Sequence, residues 1–208
     1  MAMSASKAIR PILQLKRLEV LTDVVFGIVL WRTFMLIPQP EAADWKWKSV
    51  QPFLADNLAI FAIVAIGIAL TIIYWVQNNA LLGSLEETNV LHTSLSILQI
   101  FFLLLFLYSI RLGMFMGASP GTRTFESVAA AMVGISGGWA WMYATKNRRL
   151  VRGDVTDQEV KEIGNRIMAE PITALITIPF AWIHGIAWEV SWLSYLIILP
   201  LVKRKRRS

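Results

Sequence analysis

Apolar residues run in long, nearly unbroken blocks separated by short polar joints, without the period-two alternation of a half-buried strand. Six blocks have the length of a membrane span: residues 18–38, 57–77, 91–113, 124–145, 168–184 and 186–202. A helix of about 17–25 residues crosses a hydrocarbon core of about 30 Å, and each block is near that length. In lipid every backbone N–H and C=O must find a partner within the protein, which only helices and closed barrels achieve. No block shows the dyad pattern of barrel strands, so the chain is expected to be an all-α integral membrane protein. It would form one domain, 1–208, with six transmembrane helices and a basic tail, 203–208.

Shorter signals refine this outline. Thr156-Asp157-Gln158-Glu159 has the spacing of a capping box, and Val160, Ile163 and Ile167 follow on one face. Span 5 is therefore expected to begin as an amphipathic helix outside the membrane and to kink at Pro171 where it enters lipid. Spans 5 and 6 form a hairpin closed tightly around His184 and Gly185. Ala130, Gly134 and Gly138 recur at four-residue steps with Ser127 and Ser136 nearby, a small-residue face that lets two membrane helices approach closely. In the loop 39–56, Trp45 and Trp47 read as an interfacial anchor.

Composition agrees with lipid as the solvent: 56% of residues are hydrophobic and only 16% charged. Soluble domains hold nearer a quarter of charged residues, roughly. Cysteine is absent and the histidines are His92 and His184 alone, which excludes disulfides, thiolate chemistry and Cys/His zinc sites. The net charge of +6 comes from clusters: Lys7, Arg10, Lys16 and Arg17; then Lys146, Arg148, Arg149, Arg152, Lys161 and Arg166; then Lys203 through Arg207. With six spans these clusters share one side, which the positive-inside rule makes the cytoplasm, so both termini are expected there. The tail is expected to bind anionic lipid or to act only as a topology signal. Nucleic acid is not an expected partner. The first residues lack the apolar core and cleavage site of a signal peptide, so helix 1 is expected to remain in the mature protein.

Ionisable side chains within a span are functional candidates, because hydrocarbon penalises them. Helix 1 holds two, Asp23 and Arg32. Arg17 and Asp23 are six residues apart and point in different directions, so Asp23 must find partners on other helices or in water. Asp23 is either a buried structural acceptor or a functional group; Arg32 either snorkels outward or faces a path. The remaining intramembrane polar set is thin: His92, Ser94, Ser96, Gln99 and Glu189. His92 reads as an interfacial or packing histidine. No HExxH, GxSxG or paired-aspartate motif occurs, so no enzyme activity and no cofactor are expected.

Arg17, three residues, then Leu21-Thr22-Asp23 followed by Val24-Val25-Phe26-Gly27-Ile28 resembles the first-helix signature of the transmembrane protein 175 family, endolysosomal and prokaryotic potassium channels. Trp75 with Asn78 and Asn79 near the end of helix 2, and a proline-containing fifth helix, are similar in order and place. The resemblance implies a potassium-permeable homotetramer in which helix 1 lines the pore and apolar rings gate it. No Thr-Val-Gly-Tyr-Gly filter is present. Position by position, it puts the constriction at Ile28, with Trp31 and Met35 as the next pore-facing steps. Arg17, Leu21, Thr22 and Asp23 would hold the cytoplasmic half of helix 1 against its neighbours. The host membrane would be a prokaryotic inner membrane.

Leu21 and Thr22 stand where the family has Phe and Ser, a mild departure that keeps an apolar anchor and a hydroxyl, and two further positions depart more. Trp31 stands where relatives commonly have a small threonine, and Arg32 follows it. Four indoles around an axis would narrow the path, and four guanidinium groups would oppose cations and favour anions. Two alternatives follow: an anion-permeable or non-selective pore, and a non-conducting membrane assembly protein.

Overall fold

The computed structural model describes residues 2–39 and 50–205, and among these it is helical with no strand beyond one isolated bridge. Trp45 and Trp47 and residues 206–208 of the basic tail lie outside the described residues.

Helix α1 spans Ala2–Phe34, so it starts well before the expected 18. Leu15 and Leu18, three residues apart on one edge, are both buried and give this extension a reason to be helical. The short α2, Val50–Asp56, is followed by α3, Leu58–Gly83. Helix α4, Val90–Met116, begins at Asn89, whose side chain accepts from the His92 backbone N–H, and stops at Gly117, where φ is +82°. Helix α5, Pro120–Thr145, has Ser119 as its N-cap and proline in its first turn. Helix α6, Asp157–Ala181, carries the predicted capping box, with Thr156 and Glu159 bonding each other's backbone N–H groups. It runs on through Pro171 and Pro179. After a tight turn at Trp182–His184, α7 (Gly185–Ser191), a 3-10 turn (Trp192–Ser194) and α8 (Tyr195–Lys205) follow end to end.

Three helical stretches among the described residues are long and apolar enough to cross a membrane: Ile60–Gly83, Val90–Gly113 and Gly185–Val202. They coincide with expected spans 2, 3 and 6. Helices α1, α5 and α6 have 33, 26 and 25 residues, but charge or small polar residues interrupt their apolar runs.

Contacts divide the chain into two compact units, the larger built from α1 up to Leu18 and everything from Leu81 onward, the smaller Glu19–Ala80. In the larger unit α5 packs against both α4 and α6, and its small residues make this close approach possible. A Cβ at Gly134 would collide with the Pro171 ring, and one at Gly137 would lie 2.6 Å from the Gln99 amide. At Gly138 it would meet Met168 Sδ at 3.2 Å. Ser127, fully buried, joins three helices: its Oγ lies 2.7 Å from Thr177 Oγ1 of α6 and accepts from Trp188 Nε1 of α7 at 2.9 Å.

At one end of this unit Leu15, Leu18, Leu81, Leu82, Leu85, Trp141, Leu150 and Val151 form a core resembling that of a soluble protein. Two connections pair over it: Glu86 N–H donates to Leu150 O at 2.9 Å, and Arg152 N–H to Ser84 O at 3.1 Å. The α5–α6 connection turns through Asn147 and Arg148, with φ of +57° and +53°. A left-handed arginine costs roughly 1–2 kcal/mol. Its guanidinium offsets that by bonding Asp157 at 2.6 Å and the carbonyls of Arg152 and Val155 at 3.1 and 2.5 Å.

Candidate functional site

The smaller unit holds most of the residues singled out in helix 1. Two contacts define how its two long segments run. Trp75 Nε1 donates to Asp23 Oδ1 at 2.8 Å, and a Cβ on Gly67 would lie 3.2 Å from Thr33 Cγ2. As residue numbers rise on α1 they fall on α3, so the segments are antiparallel. Gly67 admits the close approach, and the Thr33 and Thr71 hydroxyls are spent on carbonyls of their own helices, Val29 O at 2.9 Å and Gly67 O at 2.7 Å.

Helix α1 is two-faced within this unit. Thr22, Phe26 and Val29, at steps of four and three, are buried, with Phe26 3% and Val29 7% exposed. On the other side Val24, Ile28, Trp31 and Met35 are 53%, 56%, 61% and 49% exposed. Ile28, Trp31 and Met35 thus share an uncovered apolar stripe, as their spacing requires. Phe34 borders it, its ring stacked on Trp31 at 6.3 Å between centroids.

The signature residues separate. Thr22 is fully buried and Asp23 is bonded to Trp75, whereas Arg17 and Leu21 are exposed. Asp23 is an acceptor, as its structural reading had it, but it is exposed and not buried. Its partner comes from another helix, one of the two sources, other helices or water, that the six-residue offset from Arg17 left open. Asn78, one turn beyond Trp75, is buried and its Nδ2 has no hydrogen-bond partner. Arg32 is exposed in the last turn of α1, with no carboxylate within 4 Å among the described residues.

In the larger unit His92 is fully buried, with Nδ1 2.8 Å from Thr88 Oγ1, which suits a packing role. Ser94 and Ser96 bond the carbonyls of Val90 and His92, one turn back. Two acids that the polar census passed over also lie on long helices: Glu126 on α5, and Glu170 on α6, whose Oε1 is buried without a partner. Each stands two residues inside an expected span, which was the available signal. No group of three acidic or histidine side chains able to hold a metal occurs among the described residues.

No protein-family model matches the chain, and no curated protein matches it.

Proposed function

We propose that this is a multi-pass membrane protein of six spans with both termini cytoplasmic, and that four copies assemble around α1 into a potassium-permeable channel. The observation that carries this reading is the two-faced α1. Val24, Ile28, Trp31 and Met35 form an apolar stripe left exposed by the described residues of their own unit, while Thr22, Phe26 and Val29 are buried on the other side of the helix. Exposed apolar side chains in one line, on a helix anchored by a hydrogen bond from a neighbouring helix, suit a surface that meets copies of itself. Ile28 is the hydrophobic constriction, Trp31 and Met35 the following rings, and Asp23 lies at the cytoplasmic mouth. Conduction through such a path needs no cofactor and no catalytic step.

One observation favours a second reading. Arg32 is exposed beside Trp31 with no carboxylate within 4 Å among the described residues, and four such charges around an axis would make the pore anion-permeable or non-selective.

Purified protein in liposomes tests both readings. Potassium flux above that of empty vesicles, increased in Ile28→Asn, is the expected result. Flux indistinguishable from empty vesicles in both proteins would leave a non-conducting assembly protein as the better account. Reversal potentials in a potassium chloride gradient decide the ion: a shift to the chloride potential rejects the potassium reading.

A further inference from the structure

We propose that the end of α5 is a binding site for the headgroup of an anionic phospholipid, with Arg149 as its principal ligand. The inference rests on the membrane reading above and not on the channel reading.

The cations of the α5–α6 connection are not equivalent. Arg148 is paired with Asp157, and Arg152 with Asp154, each at 2.6 Å. These two guanidinium groups are consumed in folding the connection. Arg149, between them, has no carboxylate within 4 Å among the described residues, although it is exposed and Glu86 and Glu87 belong to the connection paired with it. Nor does it wander: its guanidinium carbon sits 4.6 Å from the centroid of the Tyr143 ring. The Tyr143 hydroxyl in turn accepts from Asn89 Nδ2 at 2.9 Å, and Asn89 Oδ1 caps α4 by accepting from the His92 N–H at 3.0 Å. A cation stacked on an aromatic face whose far end is anchored keeps its outward N–H donors in place at little further cost in entropy.

The surface beside it supplies the rest of a lipid. Trp139, Tyr143 and Lys146 fall on one stripe of α5 by their spacing of four and three. Trp139 and Met142 are 54% and 61% exposed, and Lys146 is exposed at the last turn. Apolar side chains that give way to a Trp, a Tyr and then two unpaired cations match the order of acyl chain, glycerol level and phosphate along a bilayer normal. A planar guanidinium takes two phosphate oxygens at once, which a diffuse lysine cloud does not.

The test uses the full chain in a neutral detergent, with bound lipids counted by native mass spectrometry during titration with phosphatidylglycerol or phosphatidylcholine. Arg149→Gln is expected to weaken phosphatidylglycerol binding about 10-fold, the scale of one charge-assisted contact, and to leave phosphatidylcholine unchanged. Tyr143→Leu, which keeps the charge but removes its platform, should weaken it roughly 3-fold, and Tyr143→Phe, which keeps the ring but frees its far end from Asn89, should weaken it by less than Tyr143→Leu. Lys161→Gln, which removes an equal charge from α6, should change it less than about 2-fold. An equal loss in Lys161→Gln would reduce the effect to diffuse attraction and overturn the site, as would wild-type binding by Arg149→Gln. Displacement of the lipid by soluble glycerol 3-phosphate at matching concentration would likewise overturn it, because the ligand would then be a free anion. A chain that inserts into phosphatidylcholine vesicles yet shows no preference for phosphatidylglycerol sinks this proposal and leaves the membrane reading standing.

Discussion

Trp75 on α3 donates its indole N–H to the Asp23 carboxylate on α1 at 2.8 Å, across 52 residues of sequence. Both side chains are exposed, so the bond orients one helix against another more than it fills a core.

A double-mutant cycle isolates the bond. Asp23→Ala and Trp75→Phe should each lower stability by roughly 1 kcal/mol, and the double variant by less than their sum. Thermal unfolding in detergent measures all three. Additive losses would show that the two residues act separately and that the hydrogen bond does not anchor α1.

On the proposed channel reading, permeation should respond to the pair Trp31 and Arg32 in different ways. Trp31→Ala is expected to raise single-channel current severalfold without moving the reversal potential, because it changes width and not charge. Arg32→Gln should move the reversal potential toward potassium: a unit charge about 8 Å from the path, at an effective dielectric of about 20, contributes roughly 2 kcal/mol to a cation's barrier. Planar-bilayer recordings read both, and an unchanged reversal potential in Arg32→Gln would place that side chain away from the conduction path.

Packing of the larger unit should fail at two specific points. Ser127→Ala strips the Trp188 indole N–H of its acceptor in a buried position and is expected to cost about 1–3 kcal/mol. Gly134→Ala forces a methyl into the Pro171 ring and should cost about 1–3 kcal/mol, whereas Gly113→Ala, with nothing within 4 Å of the new Cβ, should be neutral or slightly stabilising. Melting curves of the three variants give the ranking. Equal effects at Gly134 and Gly113 would mean that α5 and α6 do not approach as described.

The start of α6 should carry a pH signature. Glu159 accepts the Thr156 backbone N–H at 2.7 Å and the Thr156 hydroxyl at 2.9 Å, which hold its carboxyl below the ordinary 4.5. A carboxyl lowered in the folded state contributes stability that is complete above its unfolded value and is lost as pH falls through the folded one. Glu159→Gln should therefore lower the melting temperature slightly at pH 7, and the gap to wild type should close in acid. A gap that stays constant down to pH 3 would remove the carboxylate from the cap.

Much of the helical layout was legible because its signals are local. The capping box at Thr156 and Glu159, the tight turn at His184 and the small-residue face of α5 each depend on a few neighbouring side chains, and each is found where the spacing put it. The start of α1 was missed because nothing between Ala2 and Lys16 has span-like apolarity. Its helicity rests on Leu15 and Leu18 meeting Leu82, Trp141 and Leu150, residues far along the chain. Pro171 was expected to kink the helix where it enters lipid, and its second role was not legible: its ring fills the space that Gly134 leaves open on α5. That Arg149 meets no carboxylate within 4 Å among the described residues was hidden inside a run of cations, since which arginine is neutralised depends on where Asp154 and Asp157 fold back.

By itself, then, the order of residues determined that long apolar helices form, which positions share a face, and that Asp23 must look beyond its own helix. Helical periodicity and the cost of unpaired backbone groups act within a few residues, so one strand of sequence suffices for them. The tertiary structure decided the partners: Trp75 for Asp23, Thr177 and Trp188 for Ser127, Tyr143 for Arg149, and an exposed position among the described residues for Val24, Ile28, Trp31 and Met35. Those choices depend on which helices lie side by side, and side-chain contacts of a few ångströms between distant residues are settled only when the whole unit packs.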